Sequence, residues 1–342
     1  MRKFLPAVAL AVLMIVLPTG GPAVAQTAAD FKGETIGINI GFPPGGSYDP
    51  YFRVLARHYG RFIPGNPIVI AKNMPGAGSL RAANYIYNVA PRDGTELATF
   101  SVSTAMEPLM GNEQAKFDAG RFGWIGSLSE EINFCGAWQR PGAVSSFQDM
   151  LTRETILGAP GPAATSYQHP LVLKNVLGAK VRLVTGYKGV QDTYLAMQRG
   201  EANGVCGLSL TAIKLQRLAD VEQGRLKLII QMGPKTTSVL GRVPSVFDYA
   251  KTDEDRKVLE FHFYQRVLGR PLTGPPGIPP ARLTVLRKAF QDTMRDPAFL
   301  ADAKRTHLDI DPATGERVEQ LLRQFAAYPK AVIDRAKAAI GR

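Results

Sequence analysis

The stretch that decides the fold is TIGINIGFPPGGSYDP, residues 35–50, in which an apolar strand runs through a Pro/Gly loop into a helix. The same arrangement follows at residues 67–79, PIVIAKNMPGAGS, and leads into a helix that extends through Asn88. A third apolar segment lies at residues 96–101. This order of strand, helix, strand, helix and strand predicts a parallel sheet with helices on its faces, an α/β fold.

A second block of alternating strands and helices begins after Phe134. Its predicted strands are 155–158, 181–185, 204–207 and 226–232, its predicted helices are 166–177 and 190–199, and further helices are predicted at 279–294, 297–303 and 315–339. Two blocks in a chain of 342 residues predict two α/β domains. Because no Ser/Gly-rich linker separates them, we expect an inserted domain joined by two crossings. Domain 1 then comprises residues 26–130 and 226–342, and domain 2 residues 131–225.

The first 25 residues are typical of a secretory signal peptide. Arg2 and Lys3 precede the apolar run Phe4–Leu17, and Ala23-Val24-Ala25 forms a small-residue cleavage site before Gln26. An uncleaved anchor is the alternative, but the apolar run is short for a membrane span. We therefore expect a signal peptide at residues 1–25 and a periplasmic protein.

The composition excludes several classes of protein. With 45% hydrophobic and 20% charged residues, the chain is neither disordered nor fibrous. Its formal net charge of +12 raises the question of nucleic acid. Lys and Arg are, however, spread along predicted helices and form no basic patch interleaved with aromatic residues. We therefore expect no nucleic-acid partner.

The two cysteines, Cys135 and Cys206, each lie in a short apolar stretch that is typical of a buried strand. In an exported protein a disulfide between neighbouring strands is favoured. The alternative is two buried free thiols that pack as small hydrophobic side chains. Neither cysteine has the neighbours of a catalytic thiol.

Catalytic and metal-binding motifs are missing from the sequence. The four histidines, His58, His169, His262 and His307, are scattered singly and have no zinc-site spacing. No nucleophile elbow, P-loop or dinucleotide fingerprint occurs. We therefore predict no catalytic residue, no metal site and no cofactor. A hydrolase with paired carboxylates stays an alternative, because such a site has no sequence signature.

Two Gly-rich loops follow neighbouring predicted strands and each opens a helix, at residues 42–49 and 73–79. Glycine lets a backbone approach a ligand closely, and a helix N-terminus offers free N–H groups to an anion. Parallel α/β sheets bind ligands at the edge formed by the carboxyl ends of their strands, where both loops begin. Asp49 has two interpretations, a polar group of the pocket or the N-cap of the helix that Pro50 begins.

Two further loops of this kind follow strands of the second block. One spans residues 161–167 and the other residues 185–189. We expect them to face the first two loops across a cleft. Lys188 is either a contact to an anion or an exposed lysine.

Several motifs together resemble those of the substrate-binding proteins of tripartite tricarboxylate transporters, the Bug family. They are GFPPGGSYD at 41–49, NMPGAG at 73–78, APRDGT at 90–95, YKG at 187–189, RGEANG at 199–204, LGRPL at 268–272, PPGIP at 275–279 and RDPAF at 295–299. They occur in order along the whole chain after the signal peptide. The stretch 204–209 departs from the family pattern, because the family usually has an acidic residue there and this chain has none. We expect Ser209 to take the place of that residue.

The resemblance implies a type II periplasmic-binding fold that closes around a small organic carboxylate. The ligand-binding residues that it implies are Phe42, Gly45, Gly46, Ser47, Asp49, Gly76, Ala77, Gly78, Ser79, Ser103, Thr104, Ala105, Thr165, Ser166, Tyr167, Tyr187, Gly189 and Ser209. It also implies a monomer that delivers its ligand to the permease subunits of the transporter. A receptor for a membrane sensor kinase, which would share every binding residue, is the alternative.

Overall fold

The computed structural model describes residues 29–342, apart from Ala163, Lys188 and the side chain of Val102. The predicted signal peptide and the predicted contact of Lys188 therefore lie outside the described residues. The strands are β1 (Thr35–Ile40), β2 (Ile68–Asn73), β3 (Glu96–Thr99), β4 (Gly123–Ser127), β5 (Asn133–Trp138), β6 (Thr155–Ala159), β7 (Val181–Thr185), β8 (Gly204–Ser209), β9 (Leu226–Met232), β10 (Pro271–Gly274) and β11 (Ala313–Thr314).

The helices cover the faces of two sheets. They are α1 (Asp49–Tyr59), α2 (Leu80–Asn88), α3 (Val102–Ala105), α4 (Phe147–Thr152), α5 (Thr165–Leu177), α6 (Val190–Arg199), α7 (Leu210–Gln216), α8 (Leu218–Glu222), α9 (Asp253–Phe263), α10 (Pro280–Arg295), α11 (Pro297–Arg305), α12 (Gly315–Ala326) and α13 (Lys330–Ala339). Within the described residues no helix is both long enough and apolar enough to span a bilayer.

The first sheet has the strand order β11-β4-β10-β3-β1-β2. As predicted, β1 pairs in parallel with both β2 and β3. The strands β4 and β10, which the sequence analysis did not predict, make the sheet mixed because β10 runs antiparallel to both of its neighbours. The carboxyl ends of β1, β2 and β3 therefore lie together at one edge, where the predicted loops begin. We call this sheet with its helices the first lobe.

The second sheet has the order β7-β6-β8-β5-β9 and forms the second lobe. The strand β9 pairs antiparallel with β5, so residues 226–232 belong to this sheet. The chain crosses from the first sheet to the second between β4 and β5, near the predicted position. It returns between β9 and β10, so the predicted boundary at residue 226 is too early.

The C-terminal segment also differs from the prediction. The single helix predicted at 315–339 is two helices, α12 and α13, because Pro329 interrupts the helical hydrogen bonding. The last helix packs against α9 and against α5 of the second lobe. The amide of Asn175 in α5 donates to the carbonyl of Ala339 at 2.8 Å. The C-terminal end of the chain therefore packs against the second lobe.

Apolar packing joins the two lobes. One cluster of buried side chains runs from Phe100 and Trp124 in the first lobe to Phe147 and Leu173 in the second. A separate cluster, which includes the fully buried Ile38, fills the space between the first sheet and helices α1, α10 and α11. This burial fixes the sheets, and the loops at their edges, relative to one another.

Cys135 in β5 and Cys206 in β8 form a disulfide between neighbouring strands, with their Cα atoms 3.9 Å apart. The two residues are separated by 71 positions along the chain. The bond therefore closes a loop that contains β6, β7 and the helices that follow them. Both cysteine side chains are buried in the second lobe.

We predict that the double variant Cys135→Ala/Cys206→Ala unfolds with a free energy about 4 kcal/mol lower than the wild type. The reason is that a cross-link closing a loop of this length restricts the unfolded chain. Urea unfolding without reductant measures the difference, and wild type treated with reductant is the matched control. Equal urea midpoints for the oxidised wild type and the variant would contradict the prediction.

Candidate ligand-binding site

The first predicted loop, residues 42–49, is held in place by the carboxylate of Asp49. It accepts hydrogen bonds from the backbone N–H of Gly45 at 3.1 Å, from Arg53 Nε at 3.0 Å and from Asn73 Nδ2 at 2.8 Å. Burial acts to raise the pKa of Asp49, but the bonds from Arg53, Asn73 and Gly45 lower it overall. The N-cap of α1 is Tyr48, so the interpretation of Asp49 as the cap is wrong. Its carboxylate instead ties the first loop to the end of β2.

The second predicted loop turns through consecutive residues in the left-handed region. The φ angles are 46° at Ala77, 65° at Gly78 and 77° at Ser79. Gly76, Ala77 and Gly78 are exposed, whereas Ser79 is buried. Non-glycine residues rarely adopt this conformation, so the turn needs support from its neighbours.

The side chain of Ser79 supplies that support. Its Oγ lies 2.9 Å from Thr104 Oγ1 and accepts from the backbone N–H of Ser101 at 3.0 Å. The hydroxyl of Thr104 also donates to the carbonyl of Gly78 at 2.9 Å. Ser103 lies beside this network, 2.6 Å from Ser101 through their hydroxyl groups. The structure therefore brings together the predicted residues that follow β1, β2 and β3, including the buried Ala105.

In the second lobe the predicted residues lie after β6, β7 and β8. Helix α5 begins at Thr165 without a side-chain cap, which leaves backbone N–H groups available at its start. Gly207 lies against this turn, because a Cβ there would be 3.1 Å from the backbone nitrogen of Ser166. The ring of Tyr187 lies over β6, where a Cβ on Gly158 would be 2.9 Å from its Cε2 atom. Tyr167 and Gly189 are half-buried beside these residues.

Ser209 has a structural role that the sequence analysis did not predict. It is the N-cap of α7, and its Oγ accepts from the backbone N–H of Ala212 at 3.1 Å. The hydroxyl is thus already engaged in a helix cap. Its proposed role as the substitute for an acidic ligand contact stays a prediction.

A buried ion triad, which the sequence analysis missed, lies between the two sets of loops. Glu131 accepts from Arg270 Nη1 at 2.9 Å through one carboxylate oxygen and from Arg266 Nη1 at 3.1 Å through the other. The exposed fractions of these side chains are 8% for Glu131, 1% for Arg270 and 4% for Arg266. Burial alone would raise the pKa of Glu131, but the two guanidinium groups hold it below its ordinary value. The triad carries a net charge of +1.

The triad contacts both lobes. The guanidinium carbon of Arg270 lies 4.4 Å from the ring centroid of Tyr48 in the first loop. Burial, with a contribution from Glu131, raises the pKa of Tyr48 to about 12, so the phenol stays neutral. On the other side, Arg266 Nη2 donates to Thr165 Oγ1 at 3.3 Å. Two arginines in the otherwise apolar run RVLGRPL, residues 266–272, were the signal that could have indicated this cluster.

The arrangement suits an anion. Moving a charge out of water is unfavourable unless an opposite charge lies close to it, and here one carboxylate serves two guanidinium groups. A ligand carboxylate near the triad would supply the missing negative charge with charge-assisted hydrogen bonds. Among the described residues, no group of three His, Cys, Asp or Glu side chains could hold a metal ion.

The structure thus has two α/β lobes, with the predicted loops at the edges of both sheets. No family model matches the chain. It is 24% identical over 328 residues to the UPF0065 protein in the gbd 5' region of Cupriavidus necator, covering 92% of this chain and 90% of that protein.

Solved structures share the fold. The periplasmic binding protein BugD superimposes with a TM-score of 0.69 at 16% identity, covering 90% of this chain and 98% of BugD. MatC from Rhodopseudomonas palustris, solved with bound malate, gives a TM-score of 0.65 at 16% identity, covering 91% and 100% of the two chains. The structural neighbours are thus Bug and TctC solute-binding proteins, and they are binding proteins rather than enzymes. The resemblance inferred from the motifs and the predicted fold class are both confirmed.

We predict that Glu131→Gln lowers the free energy of unfolding by about 3–5 kcal/mol, because it leaves two buried guanidinium groups without a counter-charge. The matched variant Arg266→Met should have a smaller effect, since Arg270 and Glu131 then form a balanced pair. Urea unfolding of both variants against wild type measures the two losses. A smaller loss for Glu131→Gln than for Arg266→Met would refute the role of the triad.

The protein should lose stability as the pH falls from about 6.5 towards 4. Burial, together with the charge of Arg266, holds the pKa of His169 well below its ordinary value, and burial, opposed by the bond to the Ala336 carbonyl, lowers that of His262 to about 4. Both are therefore neutral when folded, whereas the unfolded chain takes up a proton at each below about pH 6.5. Over this range the free energy of unfolding falls by up to about 1.4 kcal/mol per pH unit for each histidine.

Urea unfolding at several pH values measures this slope. The variant His262→Gln, whose amide can still donate to Ala336, takes up one proton fewer on unfolding. The free energy of unfolding should therefore fall less steeply with pH, by up to about 1.4 kcal/mol per pH unit. His307 is exposed with a φ of 56°, so His307→Asn is the matched control and should leave the slope unchanged. A stability that stays constant between pH 6.5 and 4.5 would be inconsistent with two neutral buried histidines.

Proposed function

We propose that this chain is a periplasmic receptor that binds a small organic carboxylate between its two lobes. The observation that carries the proposal is the buried triad of Glu131, Arg266 and Arg270, which has a net charge of +1 and contacts both lobes. The fold shared with BugD and with the malate complex of MatC supports the same ligand class.

The binding residues in this proposal come from both lobes. The backbone of the loops at 45–47 and 76–79 would bind one face of the carboxylate through N–H groups, and the start of α5 the other face. A ligand held on both sides favours the closed arrangement of the lobes, because it binds that state more tightly than the open one. Closure therefore reports that the receptor is loaded.

The remaining parts of the proposal concern export and partners. The signal peptide at residues 1–25 would direct the chain to the periplasm, where the disulfide can form. The receptor would act as a monomer, without a cofactor, and would deliver its ligand to the permease of a tripartite tricarboxylate-type transporter. The division of the chain into an inserted and a discontinuous domain, with the second crossing after Met232, belongs to the same proposal.

A thermal-shift series tests the ligand class. We predict that a cognate carboxylate at a hundred times its Kd stabilises the protein by about 2.7 kcal/mol, whereas its uncharged amide does not. Each acid is paired with the amide of the same skeleton, so that size and shape are controlled. The variant Thr165→Val, which keeps the side-chain volume and removes the hydroxyl beside Arg266, should weaken the shift. Equal shifts for acids and amides, or none with a wide panel of acids, would contradict the proposal.

A further inference from the structure

Helix α7 of the second lobe contacts the first lobe through polar side chains. Thr211 and Lys214 lie three positions apart on this helix and therefore on the same face. The Oγ1 atom of Thr211 lies 3.1 Å from the hydroxyl oxygen of Tyr51 in α1. Lys214 Nζ donates to both carboxylate oxygens of Asp309, at 2.9 Å and 2.8 Å, in the segment of the first lobe between α11 and β11. We call these four residues the clasp.

The hydroxyl groups of the clasp form a directed chain of hydrogen bonds. The phenol of Tyr51 donates to the carbonyl of Asp309 at 3.0 Å. A phenol carries one proton, so in its bond with Thr211 the phenol oxygen accepts and the threonine hydroxyl donates. Tyr51 is 1% exposed and Thr211 is 6% exposed. The bond between these two hydroxyl groups joins the lobes, and parting the lobes at α7 would break it.

Apolar packing is separate on the two sides of the clasp. Tyr51 belongs to the buried cluster of the first lobe that includes Ile38. Ile213 of α7 belongs to a different cluster, in the second lobe, together with Phe134. Among the described residues, the apolar cluster that joins the lobes includes none from α1 or α7. At α7 the lobes are therefore held together by polar bonds rather than by apolar packing.

Polar bonds and apolar packing differ in the free energy needed to part them. Separating apolar surfaces exposes them to water, which is unfavourable in proportion to their area. A hydroxyl pair or an ion pair exchanges its partner for water, so its net contribution to the free energy is small. The side chains of Lys214 and Asp309 are 23% and 49% exposed, so water already reaches this pair. The clasp can therefore open at a lower free energy than the apolar cluster.

We propose that the clasp is a reversible latch, which holds α7 on the first lobe in the absence of any ligand. When it opens, the lobes part at α7 while the apolar cluster that joins them stays packed and acts as the pivot of a hinge. The open arrangement is then the minor state of the ligand-free protein. This inference goes beyond the proposed function and does not depend on it, because it concerns the protein without ligand.

Distances between two spin labels, measured by pulsed electron paramagnetic resonance, test the latch. Leu300 of α11 in the first lobe and Leu195 of α6 in the second are 39% and 48% exposed. Each is replaced by a cysteine that carries a label, in ligand-free protein, and the native cysteines take no label because they are bonded to each other. With the clasp intact, we expect one dominant short distance.

Variants of the clasp should increase the population with a longer distance. Tyr51→Phe combined with Lys214→Met removes both bonds between the lobes and keeps the aromatic ring in its cluster. The ratio of long to short distances should rise about tenfold, since a hydrogen bond and an ion pair are lost together. Lys288→Met is the matched control, because this lysine pairs with Asp292 within one helix and not across the lobes. It should leave the distances unchanged.

The single variant Lys214→Met changes only a partly exposed side chain and provides the result if the double variant does not fold. It should raise the ratio of long to short distances several-fold. A ratio that stays at its original value in the folded clasp variant overturns the latch. A long distance that already dominates with the clasp intact overturns it too, because the clasp then does not hold the lobes. An equal rise in Lys288→Met would show that opening does not depend on the clasp, and would also overturn the proposal.

Discussion

The ion triad of Glu131, Arg266 and Arg270 is the interaction on which the rest of the structure depends. It joins the two segments in which the chain passes between the lobes. Beside it, the backbone N–H of Glu131 donates to the carbonyl of Arg266 at 2.8 Å, and that of Leu128 donates to the carbonyl of Arg270 at 3.0 Å. The two crossings therefore lie side by side, and the lobes meet where the positive charge is buried.

The same charge explains why the surrounding loops are positioned by polar side chains as well as by glycine. Asp49 is occupied by Arg53 and Asn73, so it fixes the first loop without neutralising the triad. Ser79 and Thr104 hold the left-handed turn of the second loop through paired hydroxyl groups. The negative charge that this region needs is thus left for a ligand to supply.

Much of the fold could be predicted from the sequence, because the strands and helices around the Gly-rich loops are strongly periodic. The short strands β4 and β10 could not, since GWIGS and PLTG have few residues that favour strands. The position of β9 in the second sheet depends on its pairing with β5, which a local pattern does not contain.

The candidate site, too, could be predicted only in part from the sequence. The loops were predictable because each is a contiguous motif that follows a strand. The triad was not, because Glu131 and Arg266 are 135 positions apart and neither belongs to a Gly-rich loop. The capping role of Ser209 and the side-chain partners of Asp49 depend likewise on the folded geometry.

Observing the Nε–H resonances of Arg266 and Arg270 by NMR during titration with a carboxylate is the most direct test that an acid binds at the triad. Both Nε atoms are buried without a partner among the described residues, so a new acceptor would change their environment. Saturable shifts of the Arg266 resonance with a diacid, and none with its diamide, are the predicted result. An acid that binds tightly while both resonances stay unchanged would show that its site lies elsewhere and would contradict this account.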